Sequence, residues 1–393
     1  MIDQVSPQEC CICAACANVC PKQAIAFTKP IDGFFYPRID ADVCIGCNLC
    51  EKVCPVLNPY AFPIEKGKPE AFAARSTDSD TRQGSTSGAV FYEAGRVILS
   101  HGGYVCGAVF DDEFRVKHII TDSEDGLRRM RGSKYAQSDV GDTYIQIKQI
   151  LERGAEVLFC GCPCQVAALR RVLGKEYPNL FLLDFVCHGI PSQSMLDAYI
   201  LEQEQRKRAK VTDIRFRDKA RGWHNSSVVL TFDNGRIYSK SITVDPYMRG
   251  FHSGTTMRES CYNCRFKGFT SGSDLMLGDF WGAETVLTDW DDNTGISAVM
   301  ASSEKGLRLL EQIPAEKRPV DLDCIIRYNK NILHSTEKSP IWEQFRGYAG
   351  AHGDGEALMH FFAESGWERH KRVARYRLRC IVYKLSGRGK PLY

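Results

Sequence analysis

Two copies of one cysteine pattern stand within the first 56 residues, as "CCICAACANVCP" and "CIGCNLCEKVCP". Each copy contains C-x2-C-x2-C-x3-C with a proline after the fourth cysteine. Two-cluster bacterial ferredoxins use this run, in which three cysteines hold one 4Fe–4S cluster and the fourth ligates the other cluster. The pattern predicts two 4Fe–4S clusters, the first held by Cys10, Cys13, Cys16 and Cys54, and the second by Cys44, Cys47, Cys50 and Cys20.

Zinc is the alternative to be weighed for these cysteines. A zinc ribbon needs four ligands, commonly as two pairs, so two quartets that each end in proline are a poor match. Cys11 is spare beside Cys10, and it leaves a shifted register open. The intervening "AIAFTKPIDGFFYPRID" carries strand and turn signals. We therefore expect residues 1–60 to form a two-cluster ferredoxin domain.

The remaining composition favours metal ligation over disulfides. The chain begins without a signal-peptide pattern and has no apolar run long enough to cross a bilayer. We therefore expect a cytoplasmic protein with no membrane span, and 18 cysteines in that compartment would be kept reduced. A net charge of +3 is too mild to favour nucleic acid as a partner.

Beyond a proline-rich linker at 58–70, strand and helix patterns alternate. Strands are expected at "AFAARS", "YVCGAVFD", "RVKHIIT", "EVLFCGC" and "NLFLLDFVC", and a hairpin is expected around "DNG" at 233–235. A helix over 85–102 is expected to be capped by Ser85 or Ser87. This predicts an α/β domain with a mixed sheet over 70–340. Residues 341–393 are expected to form a helical, basic C-terminal extension, either a solvated helix or a docking surface for an acidic partner.

Three glycine-containing joints lie where strands meet helices, namely "GSTSG" (84–88), "RGSKY" (131–135) and "FCGCPCQ" (159–165). Backbone N–H groups at helix N-termini bind phosphate. Neither G-x-G-x-x-G nor the Walker pattern is present, which disfavours nicotinamide and nucleoside triphosphate sites. A flavin is favoured because it connects single-electron carriers to two-electron chemistry. The fold class is thus α+β: a bacterial-type ferredoxin domain, an α/β flavin-binding domain with a mixed sheet, and a helical C-terminal tail.

Four later cysteines end or begin predicted elements, namely Cys164, Cys187, Cys261 and Cys264. Spacing alone leaves them open as a third cluster assembled from separate segments or as structural thiols.

The motifs "STSGAV", "RGSKYAQSD", "GCPCQVAALRR", "DFVCHGIPS" and "RESCYNCRF…SDLMLGDFWG" occur in this order. Through these motifs the chain resembles the coenzyme F420 hydrogenase/dehydrogenase beta-subunit family. The resemblance covers roughly residues 1–340. The resemblance implies FAD and a third 4Fe–4S cluster held by Cys164, Cys187, Cys261 and Cys264. Cys162 stands where the family commonly has a small residue and is left out of this ligand set.

The resemblance also implies which residues bind FAD. They are Ser87, Gly88, Gly132, Ser133, Lys134, Tyr135, Gly161, Pro163 and Gln165. Lys134 is a candidate catalytic residue that favours the anionic reduced flavin, or alternatively a phosphate contact. His188 is a candidate proton donor, a neighbour of the cluster, or a core histidine. Family members often have two glycines after the first serine, whereas this chain has Ala89 as the second of that pair.

The expected function is that of an iron–sulfur flavoprotein oxidoreductase. Electrons would pass between the ferredoxin clusters and FAD, with hydride exchange to an organic substrate, for which coenzyme F420 is a candidate. A redox partner protein or ferredoxin is expected as the other partner. Three alternatives remain open: a bacterial reductase of a sugar or another metabolite, a non-catalytic electron-transfer subunit of a larger complex, and a cluster-based sensor.

Overall fold

A computed structural model describes residues 2–28, 33–59 and 68–368, together with 370, 371 and 374. The part of the linker at 60–67 and nearly all of the basic tail after 368 lie outside the described residues. No helix in the described ranges combines the length and the apolar character that a membrane crossing requires.

Thirteen strands are found in the described part of the chain. In chain order they are β1 (Ile25–Thr28), β2 (Tyr36–Ile39), β3 (Glu70–Ser76), β4 (Tyr104–Phe110), β5 (Val116–Thr121), β6 (Val157–Gly161), β7 (Leu180–Phe185), β8 (Val211–Asp218), β9 (Ser227–Phe232), β10 (Ile237–Ser241), β11 (Leu275–Asp279), β12 (Ser297–Ala301) and β13 (Ala315–Pro319).

Fourteen α-helices are found in the same ranges, with short 3-10 turns at Ile2–Gln4, Trp223–Asn225, Glu259–Asn263 and Lys330–Ile332. The helices are α1 (Ala15–Asn18), α2 (Leu49–Lys52), α3 (Ser79–Gln83), α4 (Val90–Ser100), α5 (Glu124–Met130), α6 (Thr143–Glu152), α7 (Pro163–Leu173), α8 (Gln193–Lys207), α9 (Pro246–His252), α10 (Ala283–Val286), α11 (Glu304–Gln312), α12 (Leu322–Tyr328), α13 (Trp342–His352) and α14 (Asp354–Phe362).

The largest sheet has eight strands in the order β13-β3-β12-β11-β7-β6-β4-β5. Its centre, β11-β7-β6-β4, is parallel, and β12 and β5 flank it antiparallel. The predicted mixed sheet is therefore confirmed. Parallel strands end at one edge of a sheet, and ligands of open α/β sheets bind at that edge. Cys162 and Cys187 follow the ends of the neighbouring parallel strands β6 and β7, so they lie at the same edge of the sheet.

A second, three-stranded sheet has the order β10-β9-β8, and β9 and β10 form the predicted hairpin. Its apolar face shares one core with α8, α9 and the C-terminal helices. Phe345 of α13 and Leu358 of α14 are fully buried in this core. The expected helical character of the tail is confirmed for 342–362, and these two helices cover the small sheet.

The ferredoxin domain packs against α7 and α6 of the larger domain. Ala15 of α1 is 1% exposed and belongs to the core around Tyr144 and Val166. The side chain of Asn18 donates a hydrogen bond of 2.7 Å to the carbonyl oxygen of Gly141. The burial of α1 against the larger domain brings the first cysteine pattern to the edge of the eight-stranded sheet.

The prediction for the start of α4 was wrong. The helix begins at Val90, behind Ala89 in the left-handed region at φ 71°, and neither predicted serine caps it. Ser85 instead donates to the carbonyl oxygen of Thr81, and Ser87 donates to that of Ile296. Both serines precede the N-cap position, which Ala89 occupies, so residues 84–88 form a turn before the helix.

Candidate redox site

The two cysteine patterns produce the same backbone twice. Ile12 and Gly46 occupy equivalent positions and are both left-handed, at φ 47° and 67°. Ala14 and Asn48, two residues later, are also left-handed, at 63° and 58°, and each precedes a one-turn helix. Left-handed residues turn the chain sharply. Each pattern therefore curls into a compact loop, as a cluster-binding loop must.

The first predicted ligand set is brought together. Cys16 lies close enough to Cys10 and Cys54 for their charges to act on its thiol, and Cys13 lies beside Cys16. Burial is the main cause that raises the pKa of Cys10 to about 12. Coordination by iron has to supply the free energy for deprotonating such thiols.

The second predicted set lies nearer the surface. Cys47 is exposed, and Cys44 and Cys20 are partly exposed. The amide of Ala24 donates to the sulfur of Cys20 at 3.3 Å. Ile45, beside this set in sequence, is 59% exposed. The second cluster site is thus the one that an external redox partner can approach.

Six cysteines line a cavity of about 50 Å³ between the ferredoxin domain and the sheet edge, namely Cys11, Cys162, Cys164, Cys187, Cys261 and Cys264. All four cysteines of the third set implied by the family resemblance are among them. A 4Fe–4S cluster needs four thiolates, so two thiols are in excess. Cys11 and Cys162 are residues that sequence reasoning had set aside.

The thiols of this cavity form a connected series. Cys11 is in hydrogen-bond contact with Cys13 and with Cys164, and Cys162 is in contact with Cys164 and Cys187. The two thiols that donate to Cys162 hold its pKa well below the usual value. The series runs from the first ferredoxin loop to the carboxyl end of β7.

A buried cation stands beside the same thiols. Arg258 is 1% exposed, and its Nε and Nη1 atoms have no hydrogen-bond partner. Its guanidinium lies 4.3 Å from the ring centroid of Phe34, and its charge acts to lower the thiol pKa of Cys10, Cys11 and Cys261. A buried cation is stabilised by thiolates, so its presence in "RESCYNC" was a signal for an anionic centre.

A second cavity of about 760 Å³ opens on the other side of Cys187 and His188, which line both cavities. Most of the residues predicted to bind flavin line it: Ser87, Gly132, Ser133, Lys134, Tyr135, Gly161 and Gln165. Its volume lies within the range of about 300–1,000 Å³ that is common for ligand sites. The loops at 84–88 and 131–135 therefore meet at one cavity.

Two predicted flavin residues stand elsewhere. Gly88 is enclosed by β3 and β12, and a Cβ atom there would lie 2.2 Å from the carbonyl oxygen of Ala74. Pro163 lines the smaller, cysteine-lined cavity.

Gln165 is nearly fully buried, and its side chain accepts from the amide of Cys162 and donates to Ser138, so it caps α7 from inside the wall.

Lys134 closes the end of α5. Its Nζ atom donates to the carbonyl oxygens of Met130 and Arg131 at 2.9 Å and is also close to those of Arg129 and Gly132. Burial lowers the pKa of its amine to about 7. Hydrogen bonds to carbonyl oxygens favour the charged form of the amine. In this structure they use the N–H donors of the ammonium group.

His188 has one free ring nitrogen. Asn331 Nδ2 donates to Thr336, which turns its Oδ1 toward His188 Nδ1 at 3.1 Å. His188 Nε2 is buried without a partner, and burial lowers the pKa of the ring. The bond to Asn331 Oδ1 is satisfied when Nδ1 carries the proton of the neutral ring, and the backbone of Phe251 and His252 also acts on the ring.

The chain matches two family models. Residues 154–320 match the model for the C terminus of the beta subunit in the family "Coenzyme F420 hydrogenase/dehydrogenase", and residues 9–58 match "4Fe-4S dicluster domain". These segments contain the large sheet's cysteine-bearing edge and both cysteine patterns.

Curated relatives from methanogens match parts of the chain. The F subunit of the F420H2 dehydrogenase of Methanosarcina mazei is 27% identical over 206 residues, which cover 49% of this chain and 57% of the relative. The alpha 1 subunit of the acetyl-CoA decarbonylase/synthase complex of Methanosarcina barkeri is 27% identical over 190 residues, 46% of this chain and 21% of the relative. The chain thus spans about half or less of these relatives.

A chain of the F420-reducing [NiFe] hydrogenase complex of Methanosarcina barkeri superposes with a TM-score of 0.47 at 18% identity, covering 68% of this chain and 89% of that one. The cysteine patterns and the family matches, rather than this superposition, establish an iron–sulfur protein that binds 4Fe–4S clusters. The chain thus carries a match to the 4Fe–4S dicluster domain ahead of a region that matches the C terminus of the beta subunit in the coenzyme F420 hydrogenase/dehydrogenase family.

Proposed function

We propose that this chain passes electrons between a redox partner protein and an organic molecule held in the 760 Å³ cavity, with which it exchanges a hydride equivalent. Coenzyme F420 is the first candidate for that molecule, since the matched relatives include part of an F420H2 dehydrogenase. The proposal includes a third 4Fe–4S cluster and FAD in addition to the two ferredoxin clusters.

The single observation that supports this most is the connected thiol series. It begins at Cys13 in the ferredoxin domain, continues through Cys11, Cys164 and Cys162, and ends at Cys187. Cys187 and its neighbour His188 form the wall between the two cavities. Ligand sets that adjoin in this way favour electron exchange between the domains, and structural thiols alone would not require the alignment.

The residues of the smaller cavity fit a cluster. Cys164, Cys187, Cys261 and Cys264 supply four thiols from three separate segments of the chain, which is the number that a 4Fe–4S cluster takes. Arg258 offsets negative charge beside them, and Lys267 approaches the carbonyl oxygen of Cys187. Both cations stabilise an anionic centre in a buried place.

The residues of the larger cavity fit FAD. Arg131, Lys134, Arg217, Arg327 and Lys330 give its described lining an excess of positive charge, and four buried polar atoms of lining residues, on His118, Arg131, His188 and Arg217, have no partner. FAD supplies the conversion between single electrons and electron pairs when it is bound. Gly132, at φ 81° and with open space where a Cβ would stand, allows close approach of the backbone.

His188 is the residue placed to handle a proton. Its neutral ring presents Nε2 at the wall between the cavities, while Asn331 and Thr336 hold the opposite side of the ring. We therefore assign it the role of a proton acceptor in the resting state, rather than the donor role considered from sequence. Lys134 is assigned a positioning role for the 131–135 loop.

Anaerobic purification with iron, sulfide and flavin measured per chain tests the proposal. We expect about twelve irons, for three four-iron clusters, and one FAD. Eight irons would contradict the third cluster. Failure to bind added FAD would contradict the flavin assignment.

Two serine variants test the ligand set. Cys164→Ser should lower the iron content to about eight per chain by removing one cluster, and Cys162→Ser, two residues away in the same cavity, should leave it at about twelve. The opposite result would make Cys162 the ligand.

Turnover separates an enzyme from a non-catalytic subunit. The isolated, fully loaded chain should reduce coenzyme F420 with a reduced dye as donor. Dye-driven reduction of bound flavin without any reduction of coenzyme F420 would exclude that substrate.

A further inference from the structure

We propose that Arg217 forms an anion-binding position in the large cavity, and that the organic molecule bound there presents a carboxylate or phosphate group to it. This inference rests on the proposed function only in taking the cavity as the place where an organic molecule binds. Nothing in the sequence patterns assigned a role to Arg217.

Arg217 is a buried guanidinium with one nitrogen, Nη2, left without a hydrogen-bond partner. It lies on β8 of the small sheet and is 9% exposed. Its Nε atom donates to Ser226 at 2.9 Å, and its Nη1 atom donates to Asp279 at 2.8 Å. Its Nη2 atom is buried without a partner, and the residue lines the large cavity. A buried donor without an acceptor is unfavourable, so a ligand oxygen here would be strongly bound.

The group that holds Arg217 is rigid. Asp279 stands at the end of β11, and it also accepts from the indole of Trp223 at 3.4 Å. Trp223 and Trp281 stack with centroids 5.3 Å apart and an angle of 3° between their planes. The guanidinium lies 5.2 Å from the centroid of Trp281. Contacts from both sheets and from the tryptophan pair thus fix the orientation of the guanidinium group. Its planar arrangement of N–H donors suits carboxylate or phosphate oxygens.

The charge of the cavity favours an anion as well. Asp279 is the one acidic residue among the described lining residues, and Arg217 already pairs with it. Arg327 and Lys330, which follow one another closely in sequence, add positive charge outside the predicted flavin loops. A ligand that carries negative charge is therefore attracted, and a cationic ligand is disfavoured.

Arg217 lies near the predicted flavin loop, where the side chain of Tyr135 interacts with its guanidinium, and also near the wall shared with the cysteine-lined cavity. Burial lowers the pKa of His252 to about 4, and the charges of His188 and Arg217 contribute, so His252 lies near both. His188 belongs to the wall shared with the cysteine-lined cavity. Arg217 is therefore near the wall where electrons enter the cavity, and the acidic group of a reacting molecule held there would orient its reacting end.

Equilibrium dialysis with radiolabelled inorganic phosphate tests the position. The full chain with its clusters is used, both free of flavin and saturated with FAD. We expect Arg217→Gln to bind phosphate at least tenfold more weakly than the wild type in both states, with FAD content unchanged. The matched control is Arg215→Gln, two residues earlier on β8 with a 55% exposed side chain, which should bind as the wild type does.

A further variant guards against loss of structure, since Arg217→Gln leaves Asp279 buried and unpaired. Arg217→Gln/Asp279→Asn removes both charges, and it should show the same loss of phosphate binding with normal iron content.

Three results would overturn the inference. The first is phosphate binding that persists in both variants. The second is that saturation with FAD abolishes phosphate binding and that Arg217→Gln also loses affinity for FAD. The third is that the wild type binds no phosphate. The second would assign Arg217 to the flavin phosphates. If the chain bound no FAD at all, the proposed function would fail, while the flavin-free arm would still decide the role of Arg217.

Discussion

The thiol of Cys11, in the ferredoxin domain, lies close enough to the thiol of Cys164, at the start of α7, for the two to interact. Cys11 follows Cys10, a predicted ligand of the first cluster, and Cys164 is a predicted ligand of the third. One side chain therefore joins the two ligand sets. Sequence spacing treated Cys11 as spare, and its significance arises only from the packing of α1 against α7.

Replacing Cys11 should change electron passage without changing cluster content. Cys11→Ala removes a thiol that contacts Cys13 and Cys164, and hydrogen bonds to ligand sulfurs raise cluster potentials. We expect an iron content of about twelve, with a more negative potential for the first or third cluster. Redox titration followed by electron paramagnetic resonance measures this. An iron content of about eight would show that Cys11 is itself a ligand.

Removing the charge of Arg258 should also shift cluster potentials to more negative values. The charge of this buried guanidinium acts on Cys10, Cys11 and Cys261, and positive charge favours the reduced, more anionic state of a nearby cluster. Arg258→Met is compared with Arg265→Gln, whose 46% exposed side chain pairs with Glu9 in the same cavity. Equal potentials in the two variants would contradict the prediction.

The exposed face beside the second cluster should govern exchange with a partner. Val43, Ile45 and Leu49 are between 39% and 59% exposed there. Ile45→Glu should slow reduction by a ferredoxin several-fold, because interface burial of apolar area is lost. It should leave reduction by dithionite unchanged. Ile237→Glu, at a 63% exposed position on the small sheet, is the matched control and should behave as wild type.

Ala89 should be replaceable by glycine with a gain in stability. It is 5% exposed at φ 71°, where a Cβ atom costs about 1–2 kcal/mol. Ala89→Gly should raise the free energy of unfolding by about 1 kcal/mol, after the entropy cost of glycine. Ala94→Gly, inside the same helix, should lower it by about 1 kcal/mol. Chemical denaturation of the cluster-containing protein measures both changes. A loss of stability in Ala89→Gly would contradict the prediction that Ala89 is strained.

Asp184 should make stability fall as pH rises toward neutrality. Burial raises the pKa of this fully buried carboxyl to about 7, and its Oδ1 has no partner. Because the folded state binds more protons than the unfolded state between about pH 4 and 7, its contribution is present at low pH and lost through pH 7. Asp184→Asn should flatten the dependence between about pH 4 and 7. Asp125→Asn, with an 83% exposed side chain, should keep the wild-type slope.

Several features followed from sequence because they depend on short-range spacing. The two cysteine patterns each contain their own turns, so the form of their loops could be predicted from adjacent residues. The buried runs before Cys162 and before Cys187 likewise predicted strands that the structure confirms as β6 and β7. In such cases the residues that define the feature lie within one element or one loop.

Other features depended on tertiary structure because they join residues far apart in the chain. Cys11 meets Cys164 only when α1 packs on α7, and Arg217 reaches Asp279 only when the small sheet lies against the large one. The start of α4 was misjudged because Ser85 and Ser87 bond to carbonyls that sequence spacing does not reveal. Local propensity therefore determined which elements form, while packing of the apolar faces decided which thiols and charges became neighbours.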